Sequence, residues 1–449
     1  MKKIVLSLAG VMAAVAFAPE ASALPVFARQ TGMACSACHF QHFPLLNSFG
    51  RAFKAAGFTM VGAQGKIEGD RLSIPDTLNI NFLASMGYVK SNQTADNTGV
   101  SKNPGNGGFY LPGIAGEASL FVGGRVSDFA GFLSEITLSA PAAIDSGKLA
   151  ILPEIGSSGI HAGAIPFATN GQGASYGFEY LNTGANAVHS ITNTVGNALG
   201  GTGDEFINAV SAQQYIHTAT AADGVAAVVN SDMGFVNITK YNQTGMATGQ
   251  QGSLGSTYAR VAGLFDLAGW DSALGFQSWS GSSLNDAGAG LATMYQSKAW
   301  AIDGQMQGTL GEMPTGFYFS YANAPVSNTA APNNFNNTAN GGGYLTRSSF
   351  NVDAEIGVIP EVMTLGAAIR RAKSGTDVGA VTTGVANGNN ASDNAFFLTA
   401  TYKIAQNMLG RLSYVKQSGD YWTLVNQGAG TNAAASGDTT YAANLYVLF

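Results

Sequence analysis

Phe350-Asn351-Val352-Asp353-Ala354-Glu355-Ile356-Gly357-Val358 alternates apolar with polar or small residues from end to end. In an extended strand successive side chains point to opposite faces, so this stretch has one oily face and one carrying Asn351, Asp353 and Glu355. The period of two recurs along the chain. Leu78, Ile80, Phe82, Ala84, Met86 and Tyr88 oppose Thr77, Asn79, Asn81, Ser85 and Gly87, with Leu83 out of pattern. Trp300, Ile302, Gly304 and Met306 oppose Asp303, Gln305 and Gln307, and Phe396, Leu398, Ala400 and Tyr402 oppose Thr399, Thr401 and Lys403.

A soluble sandwich also alternates, but three features point to a membrane barrel. The connections alternate in length: tight turns near 127–131, 266–271, 359–361 and 404–407 are separated by long stretches rich in Asn, Gly, Ser and Ala at 91–114, 325–346, 373–393 and 418–438. Short periplasmic turns and long outer loops are the pattern of bacterial outer-membrane barrels. The strand segments run to about ten residues, enough to cross a bilayer when tilted. The chain stops on Tyr441, Ala443, Leu445, Val447 and Phe449, a terminal strand closed by an aromatic residue, as in that class of barrel. Nine strands are expected from 257 onward and three before 140. The middle, 141–256, is poorly periodic, although Ser175–Leu181 and Phe235–Tyr241 read as extended. Since such barrels close with even numbers, sixteen strands is the first choice and fourteen the second.

Composition agrees. Of 449 residues 46% are hydrophobic but only 11% charged, against about 25% in ordinary soluble domains. A net charge of −6 offers no basic face to a phosphate backbone, which argues against nucleic-acid binding. Lys2 and Lys3, the uncharged run Ile4–Ala18 and Ala21-Ser22-Ala23 have the form of an export signal over residues 1–23, with Leu24 starting the mature chain. The remainder divides into a short segment, 24–71, and a barrel, 72–449, in the outer membrane.

The chemistry lies in the short segment. Cys35-Ser36-Ala37-Cys38-His39 is a C-x-x-C-H motif, the only Cys pair in the chain. Two thiols one helical turn apart suit the two vinyl groups of a haem, and the adjacent His39 suits the iron. A dithiol redox site would need a βαβ context and zinc about four ligands, so one covalent haem c is expected on Cys35, Cys38 and His39. Downstream, Leu46, Phe49, Gly50 and Phe53 recur at helical spacing, a stripe suited to packing on the porphyrin, with Arg51 or Lys54 placed to pair with propionates. The sixth ligand stays open among Met60, His42, one of His161, His189 or His217, Met33 and water. Some 48 residues are too few to shelter a porphyrin alone, so the helical haem segment is expected as a plug at the periplasmic mouth or in the lumen. Arg125, Glu135, Arg260, Asp303, Asp353 and Glu355 should face the lumen, and Asp353 with Glu355 has the chemistry to hold a hard cation.

Phe27-Ala28-Arg29-Gln30-Thr31-Gly32-Met33, the C-x-x-C-H motif, Pro44 and Phe49-Gly50-Arg51-Ala52-Phe53-Lys54 resemble the fused cytochrome–porins, monohaem outer-membrane iron oxidases of iron-oxidising bacteria. Ser211-Ala212-Gln213-Gln214-Tyr215-Ile216 and Phe235-Val236-Asn237-Ile238-Thr239-Lys240 resemble segments of the same family. The resemblance implies haem on Cys35, Cys38 and His39, ferrous iron outside the cell as electron donor, and a periplasmic c-type cytochrome or other soluble carrier as acceptor. Two rival functions use the same parts: export of electrons to an extracellular acceptor, and a solute porin whose haem is structural or sensory.

Overall fold

The computed structural model describes the chain from residue 25 to 449, apart from 63, 92–106, 114, 139–142, 186–210, 244–252, 287–291, 327–331, 337–343 and 422–438. The expected export signal and His189 therefore lie outside the described residues.

Sixteen antiparallel strands form a closed barrel. In chain order they are β1 Ile80–Ser91, β2 Ala118–Ser127, β3 Ala130–Thr137, β4 Ala143–Ile151, β5 His161–Thr169, β6 Ala222–Ser231, β7 Gly234–Asn242, β8 Ser256–Leu267, β9 Trp270–Asp286, β10 Ala299–Leu310, β11 Met313–Ala324, β12 Tyr344–Ile359, β13 Met363–Asp377, β14 Asn394–Ala405, β15 Met408–Ser418 and β16 Thr439–Leu448. The ring closes where β16 pairs with β1, from Leu448↔Leu83 to Thr440↔Ser91. Beyond that ladder Phe449 and Phe82 exchange backbone hydrogen bonds of 2.7 and 3.0 Å. Four of the strands come from the poorly periodic middle, which completes the first-choice count.

The wall is inverted relative to a soluble protein. Ile302, Phe350, Ile369 and Phe396 are about 40% exposed, whereas Arg260, Asp303, Asn351, Asp353, Glu355 and Arg370 are 2% exposed or less. An apolar exterior around a polar interior is stable only where lipid surrounds it, and a closed ring leaves no unpaired edge in that lipid. No helix among the described residues is long and apolar enough to cross a membrane, so the strands do the crossing. The chain is thus a transmembrane β-barrel of the outer-membrane type.

One expectation is corrected. Ser175–Leu181 is not a wall strand. It opens with a one-turn helix, Ala174–Tyr176, and folds inward with Phe178, Tyr180 and Leu181 buried. Aromatic and aliphatic side chains inside the ring remove more apolar surface from water than a seventeenth stave facing a solvated lumen would. Lys148 Nζ donates to the Tyr176 carbonyl at 2.8 Å, and Asn237 Nδ2 to that of Phe178 at 2.9 Å. The short helix Ala212–Tyr215 returns inside the barrel, where Ala212 N donates to Ser320 Oγ at 2.6 Å.

Candidate functional site

Three short helices precede the barrel: α1 Pro25–Thr31, α2 Cys35–Cys38 and α3 Ser48–Ala55. With the loop between α2 and α3 they occupy the short-turn mouth, because Asp271 and Gln307, the wall partners of Arg51, Glu355, the partner of His42, and Arg125, the partner of Gln30, stand near the turns 267–270, 310–313, 359–363 and 127–130. Buried Gln30 staples the segment to itself and to the wall. Its Nε2 donates to the carbonyls of Phe58 at 2.6 Å and Met60 at 2.7 Å, and its Oε1 accepts from Arg125 N at 3.0 Å. Leu45, fully buried, packs with Tyr318, Phe397 and Val415 of the wall.

The C-x-x-C-H turn is fixed by α3. Asn47 caps that helix by accepting from Gly50 N at 2.9 Å, and its Nδ2 donates back to the carbonyls of Ser36 at 3.2 Å and Ala37 at 3.1 Å. Gly50 lies so close to the turn that any Cβ there would strike the Cys38 carbonyl. Gly50→Val is therefore expected to push α3 off the turn at a cost of about 1–3 kcal/mol. The check is limited proteolysis of the folded protein between residues 25 and 62, where cleavage should quicken about tenfold; an unchanged rate would show that the contact is not needed.

A cleft opens between this turn and the barrel rim. Cys35 and His39 line it from the plug, and Val362, Lys403, Met408 and Leu448 from the wall; it holds about 740 Å³ of open space, part of it continuous with solvent. His39 Nδ1 donates to the Leu45 carbonyl at 3.1 Å, which leaves the Nε2 lone pair available, the arrangement typical of a metal-bound imidazole. Burial pushes its pKa down to about 4, so the ring is neutral as a ligand must be. Burial pushes the Cys35 thiol up to about 11 and raises Cys38 as well. Both are free and half-buried. Thiols held protonated by burial are poor free nucleophiles, and thioether formation leaves no thiol to ionise. Among the described residues no three His, Cys, Asp or Glu converge as ligands of a bare metal ion. The chemistry of the donor set, two thiols and a neutral imidazole with a lone pair on Nε2, is that of a haem c site.

The other expected site residues are placed as follows. Arg51 donates to the Leu46 carbonyl at 3.2 Å and Gln307 Oε1 at 2.9 Å and pairs with Asp271, so it is tied to the wall. Lys54 lies near Glu179, with burial pushing its pKa down to about 8. Phe53 turns away from the cleft to meet Phe27 and Phe58, with ring centroids at 5.1 and 5.8 Å, and Met60 packs against the same cluster. His42 lines the cleft, but its Nδ1 donates to the Phe43 carbonyl at 2.8 Å and its Nε2 stands 3.1 Å from Glu355 Oε2. His161 donates to the Leu152 carbonyl, and His217 accepts from Arg347.

The lumen charges expected from the alternation are gathered inside. Arg260 bonds Glu179 and Asp303, and Glu135 accepts from Ser146 at 3.5 Å. Asp353 Oδ2 and Glu355 Oε1 are buried without a hydrogen-bond partner. No local pattern marks the wall side of the cleft. Lys403 and Met408 reach Cys35 and His39 only through closure of the barrel.

Comparison with protein-family models finds no match, and comparison with characterised proteins finds no relative in sequence. Among solved structures the chain is similar to the outer-membrane OmpT of Vibrio cholerae, at 10% identity over 86% of this chain and 100% of that one, TM-score 0.44. It is similar to OmpF of Salmonella typhi at 11% identity over 86% and 100%, TM-score 0.44, and to the channel DcaP of Acinetobacter baumannii at 11% over 83% and 97%, TM-score 0.43. The fold assignment rests on the strand ladder, not on these similarities.

Proposed function

We propose that this barrel carries one covalent haem c at its periplasmic mouth and moves electrons from ferrous iron outside the cell to a soluble periplasmic carrier. The observation that supports this reading is the C-x-x-C-H turn opening on a cleft whose second wall is the barrel rim. Cys35 and Cys38 would hold the group as thioethers and His39 would hold its iron through Nε2. Bound there, haem c supplies a one-electron couple. In the net reaction each ferrous ion leaves as ferric ion, and its electron reduces one equivalent of oxidised carrier.

The chain's own residues do the rest. The Leu45 carbonyl orients the His39 ring, Asn47 fixes the turn, and Leu45, Gln30 and Arg51 anchor the plug to the wall. The free lone pairs of Asp353 and Glu355 give the lumen a surface attractive to a hard cation. The test is to add ferrous iron anoxically to the oxidised, membrane-extracted protein and follow the haem absorption bands. Reduction is the expected result, and haem that stays oxidised removes iron as the donor.

The barrel by itself also fits a solute porin. Stable single-channel conductance with haem in place would favour that reading, and a haem potential below that of the iron couple would favour electron export.

A further inference from the structure

Two walls of different origin face each other across the cleft, and an iron porphyrin takes its axial ligands on opposite faces. We propose that Met408, the first residue of β15 just after its tight turn from β14, supplies the sixth ligand through its thioether sulfur, opposite His39. This rests on the reading of the C-x-x-C-H turn as a haem c site.

His39 comes from the plug, and the side of the cleft facing it is barrel wall. The donors lining that wall include Lys403, Glu361 and Met408. An ammonium has no lone pair, which leaves Lys403 suited to a propionate. A carboxylate is a hard donor matched to hard cations, whereas a thioether is soft and gives the His–Met pair of high-potential c-type cytochromes.

Met408 is also held in position. It closes the hairpin with Ala405 and pairs on its other side with Val447. The Asn407 carbonyl beside it accepts from Leu448 N at 3.0 Å. The sulfur is thus presented from a strand end paired on both sides and not from a free loop. The alternatives are less well placed. Met60 packs into the Phe53 and Phe58 cluster and does not line the cleft. His42 shares the plug wall with His39, and both its nitrogens are engaged.

The test compares wild type, Met408→Leu and Met60→Leu as full-length, membrane-extracted proteins. Covalent haem is counted after denaturation, and ligation is read from the near-infrared sulfur-to-iron charge-transfer band of the oxidised form. Wild type and Met60→Leu are expected to show the band, and Met408→Leu to lose it and fall in potential with covalent haem unchanged. Should the leucine variant assemble poorly, Met408→His keeps a ligand in place and is expected to remain low-spin without the band. Persistence of the band in Met408→Leu, or its absence from haem-loaded wild type, overturns Met408 alone. A wild-type protein with no covalent haem overturns Met408 and the haem site together.

Discussion

Cys35→Ser combined with Cys38→Ser is expected to give a barrel of unchanged heat resistance that retains no haem through denaturation. Non-covalent haem dissociates on unfolding, whereas thioethers survive it, so haem staining of a denaturing gel and the intact mass read attachment directly. The barrel should be indifferent because its closure runs through β16 and β1. The plug is fastened by Gln30, Leu45 and Arg51, and neither thiol takes part in those links. Each single variant keeps one thioether and should keep reduced covalent loading. The rival reading as a dithiol redox pair predicts thiolate chemistry that serine abolishes. A thiol pushed up to about 11 by burial would be ionised in only about one molecule in ten thousand at neutral pH. Haem that survives denaturation in the double variant would refute covalent attachment at this turn, and a collapse of heat resistance would show that the thiols support the barrel.

The barrel was legible because lipid makes the alternation two-sided. Phe350 and Asp353 announce opposite solvents, and the structure puts one at the exterior and the other inside. The same logic failed at Ser175–Leu181, whose composition suits a strand but whose side chains fill the lumen. Local pattern shows that a residue is buried without showing whether a bilayer or a neighbouring side chain covers it. At the C-x-x-C-H turn the residues proposed to hold the haem stand together in the sequence, since attachment chemistry demands adjacent positions. The cleft was not legible, because its second wall comes from residues more than 300 positions away whose approach depends on barrel register. Arg51 illustrates the limit. Its place on α3 suggested a propionate partner, and the closed ring instead brings Gln307 and Asp271 to its guanidinium.

Arg260→Met is expected to be the most destabilising single substitution in the interior, at about 3–5 kcal/mol, because it strands two buried carboxylates. The guanidinium donates through Nε to Glu179 Oε2 at 3.0 Å and through Nη1 and Nη2 to Asp303 Oδ2 and Oδ1 at 2.5 and 2.9 Å. Asp303 also accepts from Thr183 Oγ1 at 2.7 Å and Gln277 Nε2 at 2.9 Å, and Glu179 Oε1 accepts from Leu181 N at 2.8 Å. Thr183, Leu181 and Glu179 belong to the inward segment, and Arg260, Gln277 and Asp303 to β8, β9 and β10. The network therefore fastens the internal plug to three adjacent staves. Methionine keeps most of the side-chain volume, so the loss is chiefly electrostatic. Adding Glu179→Gln and Asp303→Asn removes the stranded charges and should recover most of it, since neutral amides leave hydrogen bonds without net charge. The midpoint of the heat-modifiable gel band measures stability in the single and triple variants. Single-channel conductance reports whether the inward segment has let go, which would appear as a larger or noisier pore in Arg260→Met. An unchanged midpoint in the single variant would mean that aromatic packing of Phe178, Tyr180 and Phe235, not this charge network, keeps the lumen filled.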